Sequence, residues 1–578
     1  MDDEGQTCID RISKLPDFIL HHILSYLYTK EAVQLSVISK RWQYVLETFP
    51  ILDCSEGYFG KDLRVINPKL KSIPKDGRRK IFNQRVEFMS YIDKKLCRFR
   101  EKNLRVNKFS LTITLVSNKL SPRVDTWMEL LAGTRIQELN VCIRAGHGRR
   151  RDMSKILFTM ESLTILNFQG RVLLSSRLDR NAVKLYSLVE LRLIGVSIDE
   201  DTIQDLILCC RSMKVFFLMN CVGFENLEIC DHDKLEKMVY NNLHRDVKDK
   251  KFSIEVPTLK ELEITFRNGG EETMVCEIII GSVCQNLKCL SLRGIPVDAK
   301  WLQNTITSFP LLENLHLGGC ILQEVIKLSS QALKEICINN CMNLMEAEFD
   351  TPNVHSFKYC GQTMPRLYSN SVADYRTALL SSRLEDMDSL WFMKLYNFLS
   401  DFRFQDLTIW MIPYSGREIS FNAEDYIGIQ FPPFELDNMK LFMNVFTSIN
   451  YAALLDGLFW NLRPRILSLQ LLFLSPDVLK GLLKCLVAEE PNCYCSQNLI
   501  CWRHSLKGIK LINVKGLESN TVLNAITLKN LTNYLDDWVI EAKKGPQEKN
   551  FPMTSLSFEL SWYTKVALFH LCSSYFII

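Results

Sequence analysis

Leu312 to Tyr359 reads LENLHLGGCILQEVIKLSSQALKEICINNCMNLMEAEFDTPNVHSFKY and carries one short phrase three times. The copies are Leu312-x-x-Leu315-x-Leu317, Leu333-x-x-Ile336-x-Ile338 and Val354-x-x-Phe357-x-Tyr359. The last two apolar positions of each copy stand two apart, so on a short strand they point the same way. Gly318-Gly319-Cys320 and Asn339-Asn340-Cys341 follow the first two copies, small or polar residues that turn a chain off its strand.

The phrase recurs upstream at Ile136-x-x-Leu139-x-Val141, Leu163-x-x-Leu166-x-Phe168, Leu188-x-x-Leu191-x-Leu193 and Met213-x-x-Phe216-x-Leu218. Leu259-x-x-Leu262-x-Ile264 and Leu287-x-x-Leu290-x-Leu292 continue it, and Leu506-x-x-Ile509-x-Leu511 is a late copy. Starts at 136, 163, 188 and 213 are 27, 25 and 25 residues apart, and starts at 287, 312, 333 and 354 are 25, 21 and 21 apart. These periods fall in the leucine-rich-repeat range. Helical segments are expected between strands at Glu200 to Cys210 and Asp298 to Phe309. One unit cannot cover its own apolar face, so neighbours must stack. The expected fold is α/β, a curved solenoid with parallel strands on its concave face and helices or irregular turns on its convex face. Leu139, Leu166, Leu191, Leu262, Leu290, Leu315, Ile336 and Ile509 are the expected repeat core.

Regularity lapses twice. Between Leu227 and Phe252 a charged loop is expected at His244 to Lys251, with one irregular strand around Leu227 and Ile229. From Gln362 to Asn461 the pattern reads as degenerate repeats with inserted loops, including a helical candidate at Leu390 to Phe398. Order returns at Ile466 to Leu469, with a helix expected from Pro476 to Ala488.

Ahead of the repeats, Ile12 to Phe49 predicts three short helices. Leu15-Pro16-Asp17 starts the first, with Leu20, Ile23, Leu24 and Leu27 along one stripe. Thr29 is the expected N-cap of the second, which carries Val33, Leu35 and Val37. Trp42, Val45, Leu46 and Phe49 line the third, which closes at Pro50. So small a helical unit is marginal by itself, which suggests a docking module.

Leu15-Pro16-Asp17, Ile23-Leu24-Ser25-Tyr26-Leu27 and Val37-Ile38-Ser39-Lys40-Arg41-Trp42 closely resemble the F-box. Tyr28 and His21-His22 depart from the commoner pattern, which has Pro and acidic residues there. An F-box followed by degenerate repeats resembles the plant F-box/leucine-rich-repeat proteins. The resemblance implies a substrate-recognition subunit of an SCF-type ubiquitin ligase that is not itself an enzyme. It implies that Leu15, Pro16, Ile19, Ile23, Leu27, Val37 and Trp42 bind a Skp-type adaptor, and cullin and RING subunits through it, while the repeats bind an unknown protein target. The expected order is a tail at 1–8, the F-box at 9–50, a basic linker with a connecting helix at 51–104, the array at 105–515 and a divergent region at 516–578.

A net charge of +4 on 578 residues does not mark a general polyanion binder. The charge is uneven: Lys61 to Lys108 holds 16 Lys or Arg against 5 Asp or Glu. That asymmetry fits nucleic-acid contact, an import signal or an acidic partner, or equally a solvated linker and an amphipathic helix with Val86, Met89, Ile92 and Leu96 on one side. The alternative functional reading is therefore a non-ligase scaffold or receptor with a basic polyanion-binding segment; nucleic acid is not the favoured partner. Twenty scattered cysteines in a chain opening MDDEGQTC favour a reducing compartment, nucleus or cytoplasm. No apolar run is long enough to span a bilayer, and Val566 to Ile578 reads as a final packed element, with a membrane contact as the alternative. No phosphate loop, nucleophile elbow, zincin pair or dinucleotide fingerprint is present, and no cofactor is expected. Cys493, Cys495, Cys501 and His504 carry the thiolate and imidazole donors of a possible zinc set. Their spacing is uncommon, and no metal is assigned.

Overall fold

The computed structural model describes residues 12, 14–27, 29–58, 74–115, 121–145, 151–152, 155–174, 182–244, 249–267, 276–361, 364–370, 377–382, 387–402, 404–411, 419–426, 433–443, 450–471, 476–487, 502–512, 521–523, 527, 529–531 and 554–563. It forms two compact units, Met1–Leu287 and Lys288–Ile578.

The first unit opens with α1 (Asp17–Ser25), α2 (Thr29–Ile38) and α3 (Lys40–Glu47), packed around Leu20, Leu24, Ala32, Trp42 and Val45. The chain then enters a parallel ladder immediately. Its rungs are β1 (Ile51–Ser55), β2 (Lys108–Leu115), β3 (Glu138–Ala145), β4 (Ile165–Gly170), β5 (Glu190–Ile194), β6 (Val215–Met219), β7 (Lys237–Asn242) and β8 (Glu261–Phe266). Register is held by the second apolar residue of each phrase: Leu52, Phe109, Leu139, Leu166, Leu191, Phe216, Met238 and Leu262 stand opposite one another in succession. A slip of one residue would turn every one of these side chains to the other face, so burial fixes the register.

Two corrections follow. The stretch expected as linker begins with a rung, β1, and Val106-x-x-Phe109-x-Leu111 is a further copy of the phrase. Leu235-x-x-Met238-x-Tyr240 is another copy, placing a rung inside the first lapse, whereas Leu227 and Ile229 belong to a strand on the return side. Between β1 and β2 lies the 27-residue helix α4 (Lys75–Glu101). It is amphipathic as its periodicity predicts: Ile81, Phe88, Met89, Ile92, Leu96 and Phe99 are buried.

In the second unit the ladder comprises β9 (Cys289–Arg293), β10 (Asn314–Gly318), β11 (Glu335–Asn339), β12 (Ser356–Gly361), β13 (Thr377–Ser382), β14 (Asp406–Met411), β15 (Phe434–Met443) and β16 (Leu462–Leu471). Leu290, Leu315, Ile336, Phe357, Ala378, Leu407, Met439 and Leu467 succeed one another across it. Parallel pairing thus runs straight through the second lapse. Beyond β16 it ends: β18 (Thr554–Trp562) lies antiparallel beside β16, and β17 (Leu506–Leu511) lies antiparallel beside β18. The late copy at Leu506 is therefore separated from the parallel rungs by an inserted strand.

The return segments of four repeats take two forms. The 25-residue periods 188–213 and 287–312 return through ten-residue helices, Glu200–Cys209 and Ala299–Ser308. The 21-residue periods return through five-residue strands, Val325–Ser329 and Glu346–Asp350, paired in parallel. Ten helical residues rise about 15 Å and five extended ones about 16 Å, so the shorter repeats cover the same span with fewer residues. The helices start at aspartate caps: Asp199 accepts from Thr202 N–H and Asp298 from Trp301 N–H, each at 2.8 Å. After the strands, Asn220 (φ 53°), Gly319 (φ 56°) and Asn340 (φ 52°) take the left-handed conformation that turns the chain off the ladder. Cysteines, buried or half-buried, then stitch one repeat to the one before. Cys221, Cys320 and Cys341 donate to the carbonyls of Leu193, Leu292 and Leu317 at 3.3, 3.3 and 3.5 Å.

Candidate functional site

The amino-terminal helices divide the expected adaptor-binding residues into three sorts. Trp42 is sealed in the core at 7% exposure, its N–H donating to the Ser39 cap at 3.2 Å. Leu15, Ile23 and Leu27 pack against that core from outside, and Ile19 is half-buried. Pro16 and Val37 are exposed, Val37 to 83%. Trp42 is accordingly a core residue of this unit rather than part of its outer surface, because the i, i+3 stripe of α3 faces α1. The second helix turns out the other way round from its apolar reading. Ala32 is its buried contact, while Val33 and Val37 face outward with Phe18, Tyr26 and Tyr44. Six of the 22 exposed large apolar side chains among the described residues, Ile12 included, lie in this one short unit. Those outward apolar side chains are the candidate docking residues of the unit. Phe18 and Tyr44 carry no expectation from the sequence; their signal was apolar character off the core stripe.

Polar contacts hold the helices and tie them to the ladder. Arg41 Nη2 donates to the Leu15 carbonyl at 3.1 Å and pairs with Asp17. His21 Nε2 lies 3.1 Å from the Val45 carbonyl and 3.2 Å from Thr48 Oγ1, whereas His22 is exposed beside Tyr26, so the two histidines occupy different faces as expected. The Pro50 carbonyl accepts from Asn107 N–H at 2.8 Å and Lys108 N–H at 3.2 Å, joining the end of the helical unit to β2. Glu47 pairs with Arg98 of α4, and that contact holds its carboxyl below the usual range. Deeper, Glu56 is 1% exposed and accepts from Thr114 N–H at 2.7 Å, with Arg85 Nε 3.8 Å away. Burial pushes the Glu56 carboxyl up, against Thr114 and Arg85, and pushes Arg85 down. A buried pair of this kind fixes α4 on β2 because losing either partner strands the other charge. Part of the basic excess is thus structural. Residues 59–73, Arg149 and Arg150 lie outside the described residues.

The expected repeat core is buried throughout: Leu139, Leu166, Leu191, Leu262, Leu290, Leu315 and Ile336 are 0–2% exposed, and Ile509 6%. The alternate residues of each rung form an open strand face. There Lys108 pairs with Glu138 at 2.7 Å, Lys237 with Glu261, and Arg192 lies 5.2 Å from the Phe217 ring centre. Cys493, Cys495 and Cys501 fall outside the described residues, as does the apolar stretch 566–578. Among the described residues no group of three His, Cys, Asp or Glu side chains could hold a metal. Among them, too, no helix is long and apolar enough to cross a membrane.

A compact helical unit with apolar side chains outward leads directly into a leucine-rich parallel ladder in an α/β fold, and comparison with known proteins finds similarity to F-box/leucine-rich-repeat proteins. The F-box domain model matches residues 12–53, and a model described as FBD-associated F-box protein At5g56370, LRR repeats, matches residues 124–283. The chain is 27% identical over 261 residues to F-box/LRR-repeat protein At3g59190 of Arabidopsis thaliana, covering 44% of this chain and 62% of that one. It is 29% identical over 258 residues to F-box/LRR-repeat protein At3g59200 of the same plant, covering 44% and 45%. It is 25% identical to F-box/FBD/LRR-repeat protein At5g56420 of that plant over 333 residues, covering 54% and 71%. The match spans less than two thirds of the first two relatives. A solved chain titled "Crystal structure of TLR13-ssRNA13 complex" aligns over 66% of this chain and 65% of its own with a TM-score of 0.28 and 14% identity, too low to bear on the fold.

Proposed function

We propose that this protein is the substrate-recognition subunit of an SCF-type ubiquitin ligase. Its F-box docks on a Skp-type adaptor, through it on cullin and RING subunits, and its repeats hold a target protein in the nucleus or cytoplasm. The observation that carries this reading is the F-box match at residues 12–53 on a helical unit whose Val33, Val37, Phe18 and Tyr26 face outward. Of the other expected contacts, Leu15, Ile23 and Leu27 pack on the core from outside, Ile19 is half-buried, Pro16 is exposed, and Trp42 lies within the core. The subunit performs no bond chemistry. It contributes proximity, holding an acceptor lysine of the target near a charged conjugating enzyme so that its effective concentration rises. The joint at Pro50 and the Glu47–Arg98 pair keep the docking unit from swinging freely on β1 and β2. Co-expression with a Skp-type adaptor tests the reading: a stoichiometric complex is expected on size exclusion, and two separately eluting proteins would overturn it.

A further inference from the structure

On the strand face of the second unit, four neighbouring rungs bring together charges that do not cancel. Ser291, His316, Cys337 and Lys358 stand side by side across β9 to β12. Glu335 accepts from Lys358 Nζ at 2.6 Å and lies 3.5 Å from His316 Nε2, so one carboxylate serves two bases. Arg293 stands beside Gly318, two residues further along the rungs. A Cβ built on Gly318 would lie 2.7 Å from Arg293 Nε and 3.0 Å from its Cγ, so the arginine lies across the strand in the space that glycine leaves. Arg293 is exposed, and among the described residues no carboxylate pairs with it. Adjoining positions on this face, Asn314, Asn339, Ser356 and Cys360, carry no charge. Arg293 and Lys358 set against the one carboxylate of Glu335 leave the cluster net positive, with the planar fork of Arg293 over Gly318 and Lys358 three rungs, about 14 Å, across the sheet. Lysine–carboxylate pairs recur elsewhere on the strand face, as in Lys108–Glu138 and Lys237–Glu261.

We infer that Arg293, on a strand face made net positive by Lys358, is the recognition point for a carboxylate side chain, aspartate or glutamate, on the protein that the repeats bind. Guanidinium matches carboxylate in two parallel hydrogen bonds, and the single excess charge matches one carboxylate. A phosphate, with nearly twice the charge, would be repelled by Glu335 more strongly than a carboxylate is. The inference rests on the reading that the repeats hold a target, and it names the chemistry of what they hold.

The test uses the full chain co-purified with a Skp-type adaptor. A short random-peptide library is selected on wild type, and the peptides obtained are remade with Glu, Gln or phosphoserine at the acidic position for fluorescence anisotropy. Selection should enrich Asp and Glu. Arg293→Ala should weaken the Glu peptides about tenfold, the scale of one charge-assisted contact. Gly318→Val, which leaves every charge in place but fills the space under the guanidinium, should weaken them in the same direction. Arg293→Glu combined with Lys358→Glu should turn the selection toward Lys and Arg. Circular dichroism and adaptor co-purification, unchanged in each variant, separate a local effect from unfolding. Failure to enrich acidic peptides, an identical preference in the charge-reversed variant, or tighter binding of phosphoserine than of Glu overturns the inference. Loss of the adaptor complex in wild type would instead overturn the ligase reading.

Discussion

Val37→Glu separates docking from folding. The side chain is 83% exposed on α2 and lies outside the core made by Leu20, Leu24, Ala32, Trp42 and Val45. A surface substitution of this kind changes stability by no more than about 0.5 kcal/mol. If an adaptor covers the site, the same change buries an unpaired carboxylate, a cost of at least about 3 kcal/mol. That corresponds to binding weaker by about a hundredfold or more. Trp42→Ala should behave differently. Removing a side chain only 7% exposed from a five-residue core costs about 3–5 kcal/mol, more than so small a unit can absorb. Its helices should melt, and affinity should fall because the fold is lost. Calorimetric titration with purified adaptor, alongside circular dichroism of each variant, reads both quantities. Val37→Glu binding as tightly as wild type, with its fold intact, would refute the assignment of this face.

Other expectations concern the ladder. Leu315→Ala removes a fully buried rung residue and should cost about 2–5 kcal/mol, seen as faster hydrogen exchange in β10 and the rungs beside it rather than in the first unit. Gly170→Ala should be poorly tolerated: its φ is +147° and the new Cβ would meet the Ile143 carbonyl oxygen at 2.2 Å, so soluble yield should drop, and an unaltered melting temperature would contradict this. Burial pushes the Glu335 carboxyl up, but Lys358 and His316 outweigh it and hold the group below its ordinary 4.5. A carboxyl lowered in the folded state lends stability above its unfolded value, and that stability is lost as the pH falls through the folded value. Lys358→Met should therefore differ most from wild type near neutrality and converge on it with acidification; a difference independent of pH in urea titrations would count against the pairing.

The repeat phrase and the stripes of the first and third helices were readable because burial imposes a period on the side chains that pack. Leu139 to Ile336 are all buried where the spacing put them, and the aspartate-capped returns at Glu200 and Asp298 begin within a residue of their expected starts. Three rungs of the first unit were passed over, β1 among them. Phe109 and Met238 belong to phrases containing Phe, Met and Tyr in place of leucine, and the ladder asks only for apolar bulk at those positions. The strand returns of the 21-residue repeats were also unforeseen, though alternation in Val325–Ser329 and the missing four residues both pointed to extended chain.

Sequence alone settled the class of fold, since a phrase recurring about every 21–27 residues has one economical way of covering its apolar side. It settled neither which apolar residues of the helical unit turn outward nor which strand completes the sheet. Val37 and Trp42 are both apolar residues on short helices; only the packing of three helices against each other seals one and bares the other. Likewise β18 enters between β16 and β17 from far along the chain, and Arg293 meets Gly318 across a rung 25 residues away. Contacts of that range are set by which surfaces meet after the local elements exist, and no local periodicity records them.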